Sequence, residues 1–68
     1  MAIDIVVNGA PFAMAPGQSV HDLVVALELS GTAMAVAVNR EVVPRQAWPS
    51  RLLQTRDRVD IVRAIGGG

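Results

Sequence analysis

The stretch that decides the fold is residues 3–14, with the sequence IDIVVNGAPFAM. Along residues 3–7 isoleucine or valine occupies every second position, which is the period of a β-strand with one well-buried face. Asn8-Gly9 is a strong signal for a two-residue hairpin turn. Residues 10–14 are therefore expected to return as an antiparallel strand. Because Pro11 has no amide hydrogen, the start of that strand is expected at an edge of its sheet or at a position that needs no amide donor.

A short amphipathic helix is predicted after this hairpin. Ser19 is a good N-cap, and Asp22 resembles the acidic partner of a capping box. Apolar residues then recur with the spacing of one helical face, at Val20, Leu23, Val24 and Leu27. This stripe covers about two and a half turns, and Ser30-Gly31 indicates the end of the helix. A helix this short needs a sheet to cover.

Four further elements are predicted in the second half of the chain. The low-charge run at residues 33–38 is typical of a well-buried strand, and Asn39-Arg40 begins a turn into a short strand at 41–43. Trp48-Pro49 indicates a turn of 3₁₀ helix that is followed by an edge segment. After a polar turn, residues 59–64 restore the alternation of a strand.

These elements predict an α+β protein in which the order β-β-α-β-β precedes a final strand. Among small folds, this order is typical of the ubiquitin-like β-grasp, a mixed sheet covered on one face by a single helix. Its first and last strands run parallel, since the connection between them includes the helix. The expected organisation is one β-grasp domain over residues 1–64 and a flexible C-terminal tail over residues 65–68.

The composition excludes most kinds of side-chain chemistry. Six arginines balance six acidic residues, so no net charge attracts nucleic acid or an anionic membrane. The chain has no lysine and no cysteine, and its one histidine is His21. These absences exclude Schiff-base and thiol chemistry and make a metal site implausible. The N-terminus lacks the pattern of a signal peptide, so we expect a soluble, cytoplasmic protein.

The glycines at residues 66–68 offer the remaining chemical group, the carboxylate of Gly68. A glycine tail can pass through a channel too narrow for a Cβ atom. A terminal carboxylate has a reference pKa of about 3.3 to 3.7, so at neutral pH it is anionic and a poor electrophile. Joining it to AMP would allow a sulfur nucleophile to attack. Terminal glycines also occur in ordinary frayed ends and cloning scars, which is the alternative reading.

Three segments carry a family resemblance that covers essentially the whole chain. They are PGQSV at residues 16–20, AVNREVVPR at residues 37–45 together with Trp48, and DRVDIV at residues 57–62 before the glycine end. In these segments the sequence resembles the ThiS family of sulfur carriers in thiamin synthesis. The Val-Pro-Arg and Trp combination is the most specific part, because a terminal Gly-Gly alone indicates only the wider ubiquitin-like group.

The resemblance implies a protein cosubstrate and not an enzyme, with no catalytic residue, bound cofactor or metal. A ThiF-like, E1-like adenylyltransferase would adenylate Gly68 with ATP-Mg. Sulfur relayed from a cysteine desulfurase would convert Gly68 to a thiocarboxylate, and a ThiG-like thiazole synthase would take up the sulfur. Ile65, Gly66 and Gly67 would occupy the partner's channel. Two residues depart from the family: Gly66 is an additional glycine, and Arg56 stands where Gly is usual, which leaves that turn's geometry open.

Two valines, Val6 and Val62, are predicted on the sheet face that points away from the helix. We expect them to form a docking surface, because a mobile tail needs contact between the folded bodies to raise its effective concentration. Arg45 is expected to be solvated. Trp48 is expected to cover an open edge of the core.

Other functions share the same fold and tail. The nearest rival is a sulfur carrier for molybdopterin, for cysteine or for thiolated tRNA. A β-grasp interaction module with an inert tail belongs to a different class. A ubiquitin-like modifier remains possible as well, since an amine can capture the same adenylate.

Overall fold

A mixed sheet of five strands with one helix packed against it forms the described part of the protein. The structure is a computed structural model and describes residues 1–29, 31 and 33–63. In chain order its elements are β1 (Ile3–Val7), β2 (Ala10–Met14), α1 (Val20–Ala26), β3 (Ala33–Val38), β4 (Glu41–Val43), a 3₁₀ turn (Arg45–Ala47) and β5 (Arg58–Arg63). The strand order is β2-β1-β5-β3-β4. β5 is parallel to β1, and the other neighbouring pairs are antiparallel. The predicted α+β architecture is confirmed.

Both predicted hairpin turns are present. Asn8 and Gly9 have φ angles of 50° and 84°, and Asn39 and Arg40 have φ angles of 52° and 70°. Two successive positive φ values match the turn whose twist fits a two-residue hairpin. As predicted, β2 with Pro11 is an edge strand.

The core lies between α1 and one face of the sheet. Its buried members are Ile5, Met14, Val20, Leu23, Val24, Val36, Val38, Val43, Trp48, Leu53, Val59 and Ile61. Trp48 is buried as predicted, and its indole Nε1 donates a hydrogen bond of 2.9 Å to the carbonyl of Val43. Arg45 is exposed, but its guanidinium carbon lies 5.0 Å from the centre of the Trp48 ring, so it is not simply solvated.

The predicted capping box begins α1. The Asp22 amide donates to Ser19 Oγ at 3.2 Å, and the Ser19 amide donates to Asp22 Oδ2 at 2.9 Å. These two bonds satisfy backbone donors that the first helical turn leaves without partners.

The helix ends earlier than the predicted stop at Ser30-Gly31. Glu28 has a φ of 60°, and its amide donates to the carbonyl of Val25 at 3.0 Å. The amide of Leu29 donates to the carbonyl of Val24 at 2.9 Å. These bonds form a Schellman motif, in which a left-handed residue, usually glycine, reverses the backbone. The sequence prediction was wrong because glutamate takes the glycine position.

The remaining boundaries differ slightly from the predictions. β5 begins at Arg58, one residue earlier than expected, and Ala64 lies outside the described residues. The edge segment expected after Trp48 is reduced to one bridge between Ser19 and Leu52. Among the described residues, no helix has the length and hydropathy of a membrane span.

Replacing Glu28 with glycine should stabilise the protein. Glycine adopts a positive φ without steric strain, so we expect Glu28→Gly to raise the free energy of unfolding by about 0.5 to 1 kcal/mol. Urea denaturation measures the change. Glu28→Gln removes the same charge but keeps the Cβ atom, and it should not reproduce the gain. An equal gain in both variants would assign the effect to charge and contradict the backbone explanation.

Candidate functional site

The candidate site is the end of β5 and the segment that follows it. The predicted modified residue, Gly68, and the predicted tail residues Ile65, Gly66 and Gly67 lie outside the described residues. The structure describes the strand that leads to them and the surface around that strand.

β5 lies in the centre of the sheet, between β1 and β3. Its parallel contact with β1 is short and consists of the pairs Val6–Arg58 and Val7–Val59. Its antiparallel contact with β3 continues to Arg63. Val59 and Ile61 are buried against the core, as predicted. Asp60 and Val62, which alternate with them, therefore lie on the face opposite α1, called the open face below.

The beginning of β5 is anchored by the buried carboxylate of Asp57. Its Oδ2 accepts a hydrogen bond of 2.8 Å from the Gln54 amide, and its Oδ1 accepts one of 3.0 Å from Asn39 Nδ2. The Asp57 carbonyl also accepts from the Val6 amide at 3.0 Å. One residue therefore joins the turn before β5 to both hairpins. Sequence reasoning missed this role, because these partners converge only in the folded chain.

Arg56, which replaces the family's usual glycine, has a φ of 71°. Its amide donates to the carbonyl of Asp4 at 2.6 Å. The turn thus keeps a backbone shape that favours glycine, with an arginine in that position. The geometry of this turn, which the sequence left open, is therefore the one that a glycine would adopt.

Two asparagines bind the backbone of β5 from opposite sides. Asn39 Oδ1 accepts a hydrogen bond of 3.0 Å from the Arg58 amide. Asn8 Oδ1 accepts one of 2.8 Å from the Ile61 amide, and Asn8 Nδ2 donates to the Ile61 carbonyl at 3.3 Å. Sequence analysis identified both asparagines as turn residues only. The bond to Ile61 spans 53 positions of the chain, so no local pattern could predict it.

The two valines predicted to form a docking surface both lie on the open face. Val6 is half-buried and is paired with Pro11 on one side and Arg58 on the other. The side chain of Val62 is 60% exposed. Because Val62 follows Arg58 by four residues, the two valines are about 13 Å apart along the strands. They share a face without being neighbours.

The apolar surface next to Val62 extends in the other direction, towards β4. Val62 is paired with Ala35, and Ala37 on the same strand is paired with Val42, which is 70% exposed. We call these four residues the alanine–valine strip. The sequence did not indicate it, because strand register decides which side chains are neighbours.

The described residues contain no evident metal site. In residues 1–29, 31 and 33–63, no three histidine, cysteine or acidic side chains are grouped so that they could hold a metal ion. His21 is exposed on the helix.

Comparison with known proteins gives consistent matches. The model of the ThiS family matches residues 5–68. The sulfur carrier protein ThiS of Escherichia coli (strain K12) is 32% identical over 66 residues, which cover 97% of this chain and 100% of the relative. The uncharacterized protein ycf40 of Porphyra purpurea is 29% identical over 66 residues, covering 97% of this chain and 93% of the relative.

A solved structure matches the fold as well. It is the crystal structure of the thiamine biosynthesis protein ThiS from Geobacter metallireducens. The match has a TM-score of 0.75 and 27% sequence identity, and it covers 97% of this chain and 100% of the other. The β-grasp fold predicted from the sequence is therefore confirmed.

Removing the Asp57 carboxylate should destabilise the fold strongly. Asp57→Ala leaves the Gln54 amide and the Asn39 side chain without their acceptor, so we expect a loss of about 2 to 3 kcal/mol in the free energy of unfolding. Thermal and urea denaturation measure it. Asp60→Ala, on the open face of β5, is the matched control and should stay within about 0.5 kcal/mol. Similar losses in both variants would contradict the anchoring role.

Proposed function

The chain belongs to the ThiS family of sulfur carrier proteins, and on that premise we propose that it carries sulfur for thiamin synthesis on the carboxylate of Gly68. A small sulfur carrier of this family is a protein on which enzymes act, and it is not itself an enzyme. The observation that carries the proposal is the family match through residue 68 in a chain without cysteine or lysine. In such a chain the carboxylate is the group best suited to hold sulfur.

The proposed chemistry replaces one carboxylate oxygen with sulfur. An oxygen of the Gly68 carboxylate attacks the α-phosphorus of ATP, and pyrophosphate leaves, giving an acyl adenylate. The terminal sulfur of a relay persulfide then attacks the carbonyl carbon, and AMP leaves with that oxygen, giving an acyl disulfide whose S–S bond a thiol reduces. The product is a thiocarboxylate. The partner enzyme supplies ATP-Mg, so the carrier needs no cofactor of its own.

Three partners follow from this chemistry. An E1-like, ThiF-like adenylyltransferase would activate the carboxylate, and a relay from a cysteine desulfurase would deliver the sulfur. A ThiG-like thiazole synthase would consume the thiocarboxylate. The tail residues Ile65, Gly66 and Gly67 would occupy the partner's channel, where the glycines, having no side chains, fit a narrow passage. The division into a domain over 1–64 and a tail over 65–68 stays a prediction, as does the cytoplasmic location.

We further propose that the open face is the docking surface for these enzymes. The predicted residues Val6 and Val62 both lie on it, and the alanine–valine strip extends the apolar surface from Val62 to Val42. Exposed apolar side chains gathered on one face are typical of protein-binding surfaces. Contact there would hold the tail near the active site and raise its effective concentration.

Mass spectrometry of the intact protein tests the modified group. After incubation with ATP, a ThiF-like enzyme and a sulfur source, we expect a mass gain equal to the exchange of oxygen for sulfur. Conversion of the Gly68 carboxylate to an amide should abolish the gain, while deletion of the exposed Ala2, near the other end of the chain, should not. Subsequent loss of the added mass with a thiazole synthase and its substrates would distinguish thiazole formation from the rival sulfur pathways. A gain that persists when the Gly68 carboxylate is blocked as an amide would refute the proposal.

A charge on the open face tests the docking surface. Val62→Glu should lower kcat/KM for adenylation about tenfold, because a charge introduced at an apolar contact costs on the order of 1 to 2 kcal/mol. Val25→Glu is the matched control, since Val25 is 51% exposed on α1 and lies away from the open face. Pyrophosphate release measures the rate. An unchanged rate with Val62→Glu would exclude docking at Val62.

A further inference from the structure

The Asn8 side chain does more than form a turn. With a φ of 50° beside Gly9, Asn8 occupies a left-handed position that glycine also adopts easily, so the turn alone does not require asparagine. Its backbone amide donates to the carbonyl of Val59 at 2.9 Å, and its side-chain amide bonds both backbone groups of Ile61. The side chain therefore takes the place that the next peptide group of β1 would occupy.

These side-chain hydrogen bonds matter because β1 ends before it has passed along the whole length of β5. The last residue pair between the two strands is Val7–Val59, yet β5 continues to Arg63. On its other side the register with β3 shifts between Ala33 and Ala35, so that pairing is irregular near the end of β5. Asn8 thus holds β5 on the β1 side beyond the last backbone pair.

We propose that Asn8 is a positioning residue, which fixes Ile61 and thereby sets the direction in which the chain leaves the sheet towards Gly68. The inference rests on the proposed function, because direction matters only if another protein must receive that end. A group held in its productive geometry reacts faster than one that must be ordered during the reaction. If the end of β5 is held less firmly, adenylation of Gly68 should therefore become slower. Docking through the open face should be unaffected.

Asn39 provides a matched comparison within the same molecule. It is also an asparagine in the first position of a hairpin turn, with a φ of 52°. Its side-chain amide also makes two hydrogen bonds at β5, to the Arg58 amide and to Asp57 Oδ1. These bonds lie at the beginning of β5, far from its exit. Loss of the Asn39 side-chain amide should therefore lower the stability of the fold without changing the direction in which the chain leaves the sheet after β5.

The experiment compares Asn8→Gly with Asn39→Gly in adenylation by a ThiF-like enzyme. Glycine keeps the conformation of each turn and removes the side-chain amide of asparagine. Both variants should therefore fold, with a lower midpoint of thermal unfolding. For Asn8→Gly we expect kcat to fall about fivefold with KM unchanged. This is the fold-change expected when about one more backbone residue must be ordered during the reaction. Hydrogen exchange at the Ile61 amide should become faster. Asn8→Asp keeps the acceptor for the Ile61 amide and loses the donor, so it should give an intermediate kcat.

Each outcome has a distinct meaning. A fall in kcat that is confined to position 8 and graded from Asn to Asp to Gly supports the inference. An unchanged kcat in Asn8→Gly, or an equal fall in Asn39→Gly, would overturn the positioning role and leave the carrier function intact. If the unaltered protein is not adenylated at all, the proposed function fails, and the role of Asn8 fails with it.

Discussion

The central constraint of this structure is that β5 must be held on both sides. It is the last strand that the structure describes and occupies the middle of the sheet, yet within the described residues only two pairs join it to its parallel neighbour β1. Unpaired backbone groups in a buried strand are costly, so other groups must bind them. Asn8 binds the amide and the carbonyl of Ile61, and Asn39 binds the Arg58 amide, while the Asp57 carboxylate holds the turn before β5 through the Gln54 amide. Much of the fold therefore depends on three polar side chains.

The same constraint explains why asparagine suits both hairpins. Asn8 and Asn39 adopt positive φ angles and use their side-chain amides to bond β5, so each serves the turn and the sheet. Glu28 and Arg56 also have positive φ angles, but no side-chain hydrogen bond to another described residue accompanies either turn. Glycine is easier to accommodate in such positions. The two kinds of site differ because asparagine contributes a hydrogen bond that glycine lacks.

In the proposed function, the folded body and the C-terminal end have separate roles. The body has no side chain suited to sulfur chemistry, because the chain contains no cysteine. The alanine–valine strip on the open face can provide affinity for a partner, and a firmly held β5 can provide direction for the segment that follows it. The partner then supplies the nucleotide and the reacting sulfur. This division is consistent with a carrier, whose substrate group must be delivered to more than one enzyme.

The sequence by itself determined the order of elements, the first hairpin, the capping box at Ser19 and the buried face of β5. These features depend on residues close together in the chain, whose spacing follows directly from helix and strand geometry. It also carried the resemblance that the family match confirmed. Only the tertiary structure decided that α1 ends at Ala26 with Glu28 in the left-handed position that follows, that Asn8 binds Ile61 and that Val62 neighbours Ala35 instead of Val6. The helix end depends on an uncommon backbone angle at glutamate, and the other two depend on strand register between residues distant in sequence, which no local pattern encodes.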